Sequence, residues 1–145
     1  MAPHLRIARP VSNLERSVDM YCRGLGCPVL ESFEDHDGFD GAMVGDPGGG
    51  YHFEFTKCRA DPVRPTPTCE DLAVLYIVDP TEWSAACTRM IEAGFAEVEP
   101  HNPYWKARGR TFEDPDGYRV VLQNDAWGGG ASPSPVSPQS RPRRR

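Results

Sequence analysis

The 145 residues contain no apolar run of membrane-spanning length, and the N-terminus has no basic region followed by an apolar stretch. We therefore expect neither a membrane span nor a signal peptide. The five cysteines are odd in number and form no CxxC pair, which argues against a disulfide framework or a zinc knuckle. This pattern predicts reduced thiols in a cytoplasmic protein.

Several catalytic and nucleotide-binding motifs are also missing. The chain has no P-loop, no dinucleotide glycine motif and no nucleophile elbow. The glycine run 48–50 leads into an alternating, strand-like segment and not into a helix, so it predicts a turn and not a phosphate cradle. The sequence therefore contains no motif that indicates a P-loop, dinucleotide-binding or serine-hydrolase protein.

The charge is unevenly distributed along the chain. The net charge is −5, but four arginines lie among the last five residues, and without them 12 basic residues face 21 acidic ones, a net charge of −9. An acidic body argues against nucleic acid as a partner. Residues 126–145 are mostly Gly, Ser, Pro and Arg, which predicts a disordered tail outside the fold. The alternative is a partner-binding domain whose interaction element is this tail.

The most informative stretch is residues 109–124, GRTFEDPDGYRVVLQN. Its Asp-Pro-Asp-Gly segment supplies a tight turn, because proline presets φ and Asp-Gly tolerates positive φ. After the turn, Tyr118, Val120 and Leu122 alternate with residues of the opposite face. The stretch therefore predicts a β-hairpin with one face toward a core.

A second copy of this hairpin occupies residues 41–55, GAMVGDPGGGYHFEF. Aligning Tyr51 with Tyr118 places His52 on Arg119 and Glu54 on Val121. A unit repeated at about half the chain length predicts two similar modules.

The residues before each hairpin predict the same order of elements, β-α-β-β-β. In the first module, alternation over residues 4–9 predicts a strand, and Ser12 with Glu15 predicts a capping box at the start of a helix. In the second, residues 72–78 predict a strand, and Asp79-Pro80 predicts the start of a helix. We predict one α+β domain over residues 1–125, built of module 3–57, linker 58–71 and module 72–125.

The opening RIARPVSNLERSVDMYCRGLG and the closing RTFEDPDGYRVVLQN resemble the vicinal-oxygen-chelate superfamily, which includes glyoxalases, bleomycin-resistance proteins and extradiol dioxygenases. The first segment is similar to that family's strand, "DLxxSxxFY" helix and "LG" stop, and the second to its "FxDPDGxxxEL" hairpin. The resemblance covers residues 4–125. It implies a concave, partly closed mixed sheet around a cavity, and often a homodimer.

The resemblance also implies four metal-ligand positions on the cavity face, and this chain departs from them. The positions fall on Arg6, Glu54, Leu72 and Val121, of which Glu54 alone is a suitable donor. We therefore expect no metal cofactor. The alternative is a divalent metal held by His4, His52 and Glu54, in which case Arg6 would repel the ion.

With metal set aside, the cavity face predicts a small-molecule pocket with an apolar wall and a few polar groups. Arg6 has two interpretations: a clamp for a carboxylate or phosphate of a ligand, or an internal ion pair with Glu54. The loop 101–105 adds two adjacent aromatics that line a pocket mouth or pin the loop to the core. Candidate ligand-binding residues are Arg6, Tyr76, Asn102, Tyr104, Trp105 and Gln123, whereas Arg119 is expected to be a solvated edge residue.

Two functional hypotheses follow from this face. The first is a glyoxalase/bleomycin-resistance-like protein that binds a small organic molecule without metal, with Glu54 as a base and His52 as a proton shuttle if chemistry follows. The alternative is a metal-dependent lyase, isomerase or dioxygenase of the glyoxalase type. A small-molecule ligand and a second copy of the chain are the partners expected.

Overall fold

The computed structural model describes residues 2–128. The elements are β1 (Leu5–Pro10), α1 (Leu14–Leu25), β2 (Val29–His36), β3 (Phe39–Gly45), β4 (Tyr51–Cys58), β5 (Leu72–Tyr76), α2 (Pro80–Glu92), β6 (Ala96–Val98), α3 (Tyr104–Ala107), β7 (Gly109–Glu113) and β8 (Arg119–Gln123). The predicted β-α-β-β-β order occurs twice, with α3 added in the second copy. Most of the predicted tail, residues 129–145, lies outside the described residues.

The strands form two four-stranded mixed sheets, ordered β1-β4-β3-β2 and β5-β8-β7-β6. In each sheet the first and last strands of the module pair in parallel, and the other pairs are antiparallel. Within residues 2–128 no strand pairing joins the two sheets, so neither is closed into a barrel. The α+β class with two glyoxalase-like modules is confirmed. None of the helices in this range has the length and apolarity needed to span a membrane.

The strand registers confirm the alignment of the two modules. Arg6 lies opposite His52 in the first parallel pair, and Leu72 lies opposite Arg119 in the second. The sequence alignment equated Arg6 with Leu72 and His52 with Arg119. Equivalent residues therefore occupy equivalent places on the two sheets.

The start of α1 differs from the prediction. Asn13, not Ser12, is the N-cap, and its side chain accepts a hydrogen bond of 3.0 Å from the backbone N–H of Arg16. Ser12 instead donates its hydroxyl to Asp116, because an ionised carboxylate is a stronger acceptor than a neutral group. The start of α2 is as predicted, with Asp79 capping the N–H of Glu82 at 2.8 Å.

Tyr21 lies at the centre of the core and contacts both modules. Its ring centroid is 4.7 Å from that of Phe55 in β4 and 5.1 Å from that of Phe95, which follows α2. The residue is fully buried. Aromatic rings at these separations contribute beyond the area they bury, so Tyr21 joins the two modules through packing.

The turn between β7 and β8 joins the modules through hydrogen bonds. Buried Asp114 accepts the Tyr21 hydroxyl at 2.8 Å through one oxygen, and the N–H groups of Asp116 and Tyr118 through the other. Asp116 accepts the backbone N–H of Ser12 at 3.1 Å. Gly117, at φ +90°, permits the reversal that points both carboxylates toward the first module. The predicted hairpin turn is thus also the contact between modules.

Tyr21→Phe tests this contact. The substitution leaves one oxygen of buried Asp114 without its donor, so the free energy of unfolding should fall by about 1–3 kcal/mol. Urea denaturation measures the change. Tyr51→Phe is the matched control, since Tyr51 is half-buried and its hydroxyl bonds no other residue within 2–128. Equal losses in the two variants would contradict the role of Asp114.

Candidate functional site

The outer face of the β1–β4 pair carries the polar candidates from the first module. Phe53 and Phe55 of β4 are buried in the core. Because side chains alternate along a strand, His52 and Glu54 lie on the opposite face. Arg6 of β1 pairs with His52 and projects to the same face. The predicted convergence of these three residues is therefore observed.

Arg6 connects the other two groups. Its Nε donates to His52 Nε2 at 2.9 Å, and its Nη1 donates to Glu54 Oε2 at 3.2 Å. The ion-pair interpretation of Arg6 is thus present in the structure. The Arg6 side chain remains 47% exposed, so this pair contributes roughly 0–1 kcal/mol to folding.

His4 extends the cluster by one residue. His4 Nε2 and His52 Nδ1 are 2.5 Å apart. Since His52 Nε2 accepts from Arg6, the proton of neutral His52 is on Nδ1 and is donated to His4. Partial burial, then the charge of Arg6, lowers the pKa of His52 below its ordinary value, while Glu54 opposes the shift. The lowered pKa favours neutral His52, and the hydrogen bond from Arg6 favours the tautomer protonated on Nδ1.

The donor set does not fit a divalent metal ion. His52 Nε2 and Glu54 Oε2 both accept from Arg6, so a permanent cation stands between the nitrogen and oxygen donors. In the second module the equivalent positions are Leu72 and Val121, which have no lone pairs. Residues 2–128 contain no group of three His, Cys, Asp or Glu side chains arranged to hold a metal.

Arg119 is not the solvated edge residue that the sequence suggested. Its side chain is only 14% exposed, and its Nε donates to Glu113 Oε2 at 2.8 Å. The two residues are opposite each other on β8 and β7. Cross-strand pairing therefore covers the guanidinium, and the predicted hairpin, which sets Glu113 and Arg119 on either side of its turn, already implied this contact.

The aromatic candidates cluster near the end of the second sheet. Tyr104 and Trp105 begin α3, not an irregular loop, and their ring centroids are 4.8 Å apart in an edge-to-face arrangement. Asn102 accepts the N–H of Tyr104 at 3.0 Å, so its oxygen holds the helix start. Tyr76 pairs with Gln123 in the sheet, and its ring lies 5.9 Å from that of Trp127.

Gln123 packs over Gly109 at the same end of the sheet. A Cβ at position 109 would lie 2.3 Å from Gln123 Oε1 and 2.6 Å from the Trp105 carbonyl oxygen, so glycine is required there. Gln123 Oε1 and Thr111 Oγ1 are buried without a hydrogen-bond partner in the described part of the chain. Sequence reasoning missed Thr111, although alternation places it on the face of Gly109 and opposite Val121.

The structure thus assembles two groups of candidates. Arg6, His52 and Glu54, with His4, form a polar cluster on the first sheet. An aromatic and amide group lies on the second sheet and consists of Tyr104, Trp105, Gln123 and Tyr76, the last of which pairs with Gln123. Among residues 2–128 no hydrogen bond, ion pair or ring contact connects the two groups.

Titration of His52 tests the contacts within the polar cluster. Arg6→Gln removes a neighbouring positive charge and should raise the His52 pKa, whereas Glu54→Gln removes a negative charge and should lower it. NMR of the imidazole C–H resonances measures both shifts. Arg119→Gln, which alters the second sheet, should leave the value unchanged. An unchanged His52 pKa in the Arg6 variant would show that the two side chains are not in contact.

Comparison with known proteins agrees with this fold. Residues 5–56 match the YycE-like N-terminal domain, and residues 70–124 match the YycE-like C-terminal domain. The protein YycE of Bacillus subtilis (strain 168), itself uncharacterized, is 39% identical over 123 residues, which cover 85% of this chain and 88% of that protein.

Two solved structures extend the comparison. A crystal structure of a YycE protein of unknown function from Bacillus subtilis is similar with a TM-score of 0.81 and 38% identity, over 90% of this chain and 95% of that one. A glyoxalase/bleomycin resistance protein from Streptomyces sp. CB03234 is similar with a TM-score of 0.56 and 25% identity, over 83% and 98%. The repeated modules, the matched domains and the shared fold together show that this chain belongs to the YycE-like family, within the glyoxalase/bleomycin-resistance (vicinal-oxygen-chelate) superfamily.

Proposed function

We propose that this protein binds a small organic molecule at the polar cluster on the first sheet, without a divalent metal ion there. The observation that carries the proposal is the position of Arg6, whose guanidinium bonds to both His52 and Glu54. Partly exposed and held at two points, it offers a fixed cation where metal-dependent relatives are expected to place their ion.

The cluster suits a ligand that carries both a donor and an acceptor. Arg6 has five N–H donors, and only two of them bond to other residues in the range 2–128. Glu54 binds Arg6 through Oε2, which leaves Oε1 to accept from a ligand. A carboxamide or a similar planar group fits this pair, because its oxygen accepts from Arg6 while its N–H donates to Glu54.

We further propose that the aromatic and amide group of the second sheet contacts the apolar part of the ligand. Tyr76, Tyr104 and Trp105 supply ring surface, and Asn102 and Gln123 supply amides. The likeness to a glyoxalase/bleomycin resistance protein supports a bulky organic ligand of the antibiotic type. Apolar walls with few fixed polar groups are typical of such sites.

If a reaction follows binding, Glu54 is our proposed base, because its Oε1 makes no hydrogen bond within residues 2–128. Both ring nitrogens of His52 are in hydrogen bonds, to Arg6 and to His4, so His52 would act on a ligand only after one of these bonds is released. Since Arg6 bridges the two residues, and guanidinium does not release its proton, a direct relay from Glu54 to His52 is not available. The metal-dependent lyase, isomerase or dioxygenase alternative needs donors beyond those that this cluster contains.

The binding proposal predicts which variants lose a ligand. Protein purified without added metal or chelator should contain substoichiometric Zn, Ni, Mn and Fe by elemental analysis. Bleomycin, as the probe, should shift the backbone amides of Arg6, His52 and Glu54 in NMR. Arg6→Gln should weaken this binding about tenfold or more, through the loss of charge-assisted hydrogen bonds. Arg23→Gln, at an exposed position of α1, should not change it.

Two results would overturn this proposal. The first is stoichiometric metal that is lost on substitution of His52 and Glu54, which would favour the metal-dependent alternative. The second is that bleomycin, and any co-purifying molecule detected by native mass spectrometry, binds the Arg6→Gln variant as tightly as the wild-type protein.

We also propose that the protein is a cytoplasmic homodimer. All five cysteines are free thiols, as expected in a reducing compartment. Tyr76, at the end of edge strand β5, and Trp127 are exposed apolar side chains whose ring centroids lie 5.9 Å apart. Exposed apolar groups of this kind mark association surfaces.

Sedimentation analysis tests the dimer. Trp127 is 80% exposed, and Trp127→Ser should raise the dimer dissociation constant about tenfold by removing apolar contact area. Ile91→Ser, at a 48% exposed position on α2, should leave it unchanged. A monomeric wild-type protein at micromolar concentration would contradict the proposal.

A further inference from the structure

A cleft lies away from the polar cluster, where the linker passes between the two modules. It has a volume of about 500 Å³ and is lined by β1, the start of β5 and linker residues 63–67. Its polar lining includes Arg9, Arg64, Thr66, Asp71 and Tyr118. Neither Arg6, His52 nor Glu54 lines it, so it is separate from the site of the proposed function.

The arginines of this cleft differ from most others in the protein. Residues 2–128 contain ten arginines, and seven of them have a carboxylate oxygen within 4.0 Å. Arg9, Arg64 and Arg89 do not, and the first two line the same cleft. In a body with a net charge of −9, two guanidinium groups without ion pairs at one place form a local positive site.

Arg9 is held rigidly in this position. Its Cζ lies 4.6 Å from the ring centroid of Tyr118 and 5.1 Å from that of Phe53, so the guanidinium is bound to two aromatic faces. Tyr118 is fixed in turn, because its hydroxyl donates to the Pro10 carbonyl oxygen at 2.9 Å. Arg9 is therefore preorganised, and ordering it costs a ligand little.

One nitrogen of Arg9 lacks a partner. Nη1 is buried and makes no hydrogen bond within the described range, although the charge of Arg9 acts on the nearby Tyr21 hydroxyl and opposes the rise of its pKa. A buried guanidinium N–H without an acceptor loses the full free energy of its hydration, so an acceptor oxygen at this point is strongly favoured. Arg64, which is exposed on the linker, likewise bonds to no side chain in the range 2–128.

The remaining charge in the lining does not cancel the arginines. Asp71 is the one acidic residue in this lining, and its Oδ2 accepts the N–H and hydroxyl of Thr68 at 2.7 and 2.8 Å. Those bonds, with a smaller contribution from Arg9, lower the Asp71 pKa. Asp71 therefore stays charged but is engaged with the linker, and it is not within ion-pair distance of Arg9 or Arg64.

We infer that this cleft is a second binding site, for a small organic oxyanion whose carboxylate or phosphate group bonds Arg9 and Arg64. The Thr66 hydroxyl is a third donor. The apolar body of the ligand would lie against Leu72, Pro67 and Ile7, which line the same cleft. A bound anion would connect the linker to both modules.

Titration of the full chain with benzoate and with phenyl phosphate tests the site. Both probes carry an oxyanion on a ring, and the tighter of the two identifies whether carboxylate or phosphate is preferred. Either should shift the backbone amides of Val63, Thr66 and Leu72 saturably in NMR. Benzamide, the neutral analogue of benzoate, should bind at least about tenfold more weakly, because it lacks the charge.

Variants assign the binding to the two arginines. Arg64→Gln, on the exposed linker, should weaken the better probe about tenfold, and Arg9→Gln should weaken it at least as much. Arg23→Gln should have no effect, and Arg6→Gln should retain this binding even where it abolishes binding at the polar cluster. Circular dichroism checks the fold of the Arg9 variant. If the Arg9 variant is unfolded, the affinity of Arg64→Gln alone tests whether the anion binds in this cleft.

The inference is overturned by any of three results. These are absent shifts with both anions, equal shifts with benzamide, and affinity that survives Arg64→Gln unchanged. Shifts confined to residues around His52 would instead place the anion at the polar cluster.

Discussion

The buried carboxylate of Asp114 is the interaction on which the arrangement of the two modules depends. It lies in the turn of the second module, yet one of its oxygens accepts the hydroxyl of Tyr21 in the first. Burial, and then Asp114 itself, raises the Tyr21 pKa far above its ordinary value, so the hydroxyl remains a donor at all physiological pH values. The contact orients the closing hairpin, and with it Tyr118, whose ring packs against the Arg9 guanidinium. One hydrogen bond thus helps to position both the core and the linker cleft.

The two modules share a backbone plan but differ in the chemistry of their outer faces. The first presents charged and imidazole side chains around Arg6, whereas the equivalent positions of the second include Leu72 and Val121. A symmetric pair of faces would suit a metal ion with ligands from both modules. This asymmetric pair suits a molecule with a polar end and an apolar body, which is why a metal-free binding site is the function that we propose.

The arginines show that burial and ion pairing determine whether a guanidinium stabilises the fold or is available to a ligand. Arg119 and Arg6 both pair with glutamates, but Arg119 is covered while Arg6 is about half exposed and retains free donors. Arg9 and Arg64 have no ion-pair partner in residues 2–128, and they converge on one cleft. A covered, paired guanidinium stabilises the sheet, whereas a held but unpaired one is available to a ligand.

Much of the fold follows from the sequence, because alternation, turn residues and capping residues are local properties. The repeated hairpins, the Asp79 cap and the shared face of Arg6, His52 and Glu54 were all predictable in this way. The contacts that decide chemistry were not. The Asn13 cap replaces Ser12 because Asp116, 104 residues away, captures the serine hydroxyl. Arg119 pairs with Glu113 only six residues away, which the predicted hairpin already implies. The tautomer of His52 depends on Arg6 and His4, 46 and 48 residues away, and the convergence of Arg9 with Arg64 depends on the path of the linker. Only the tertiary structure brings such distant partners together.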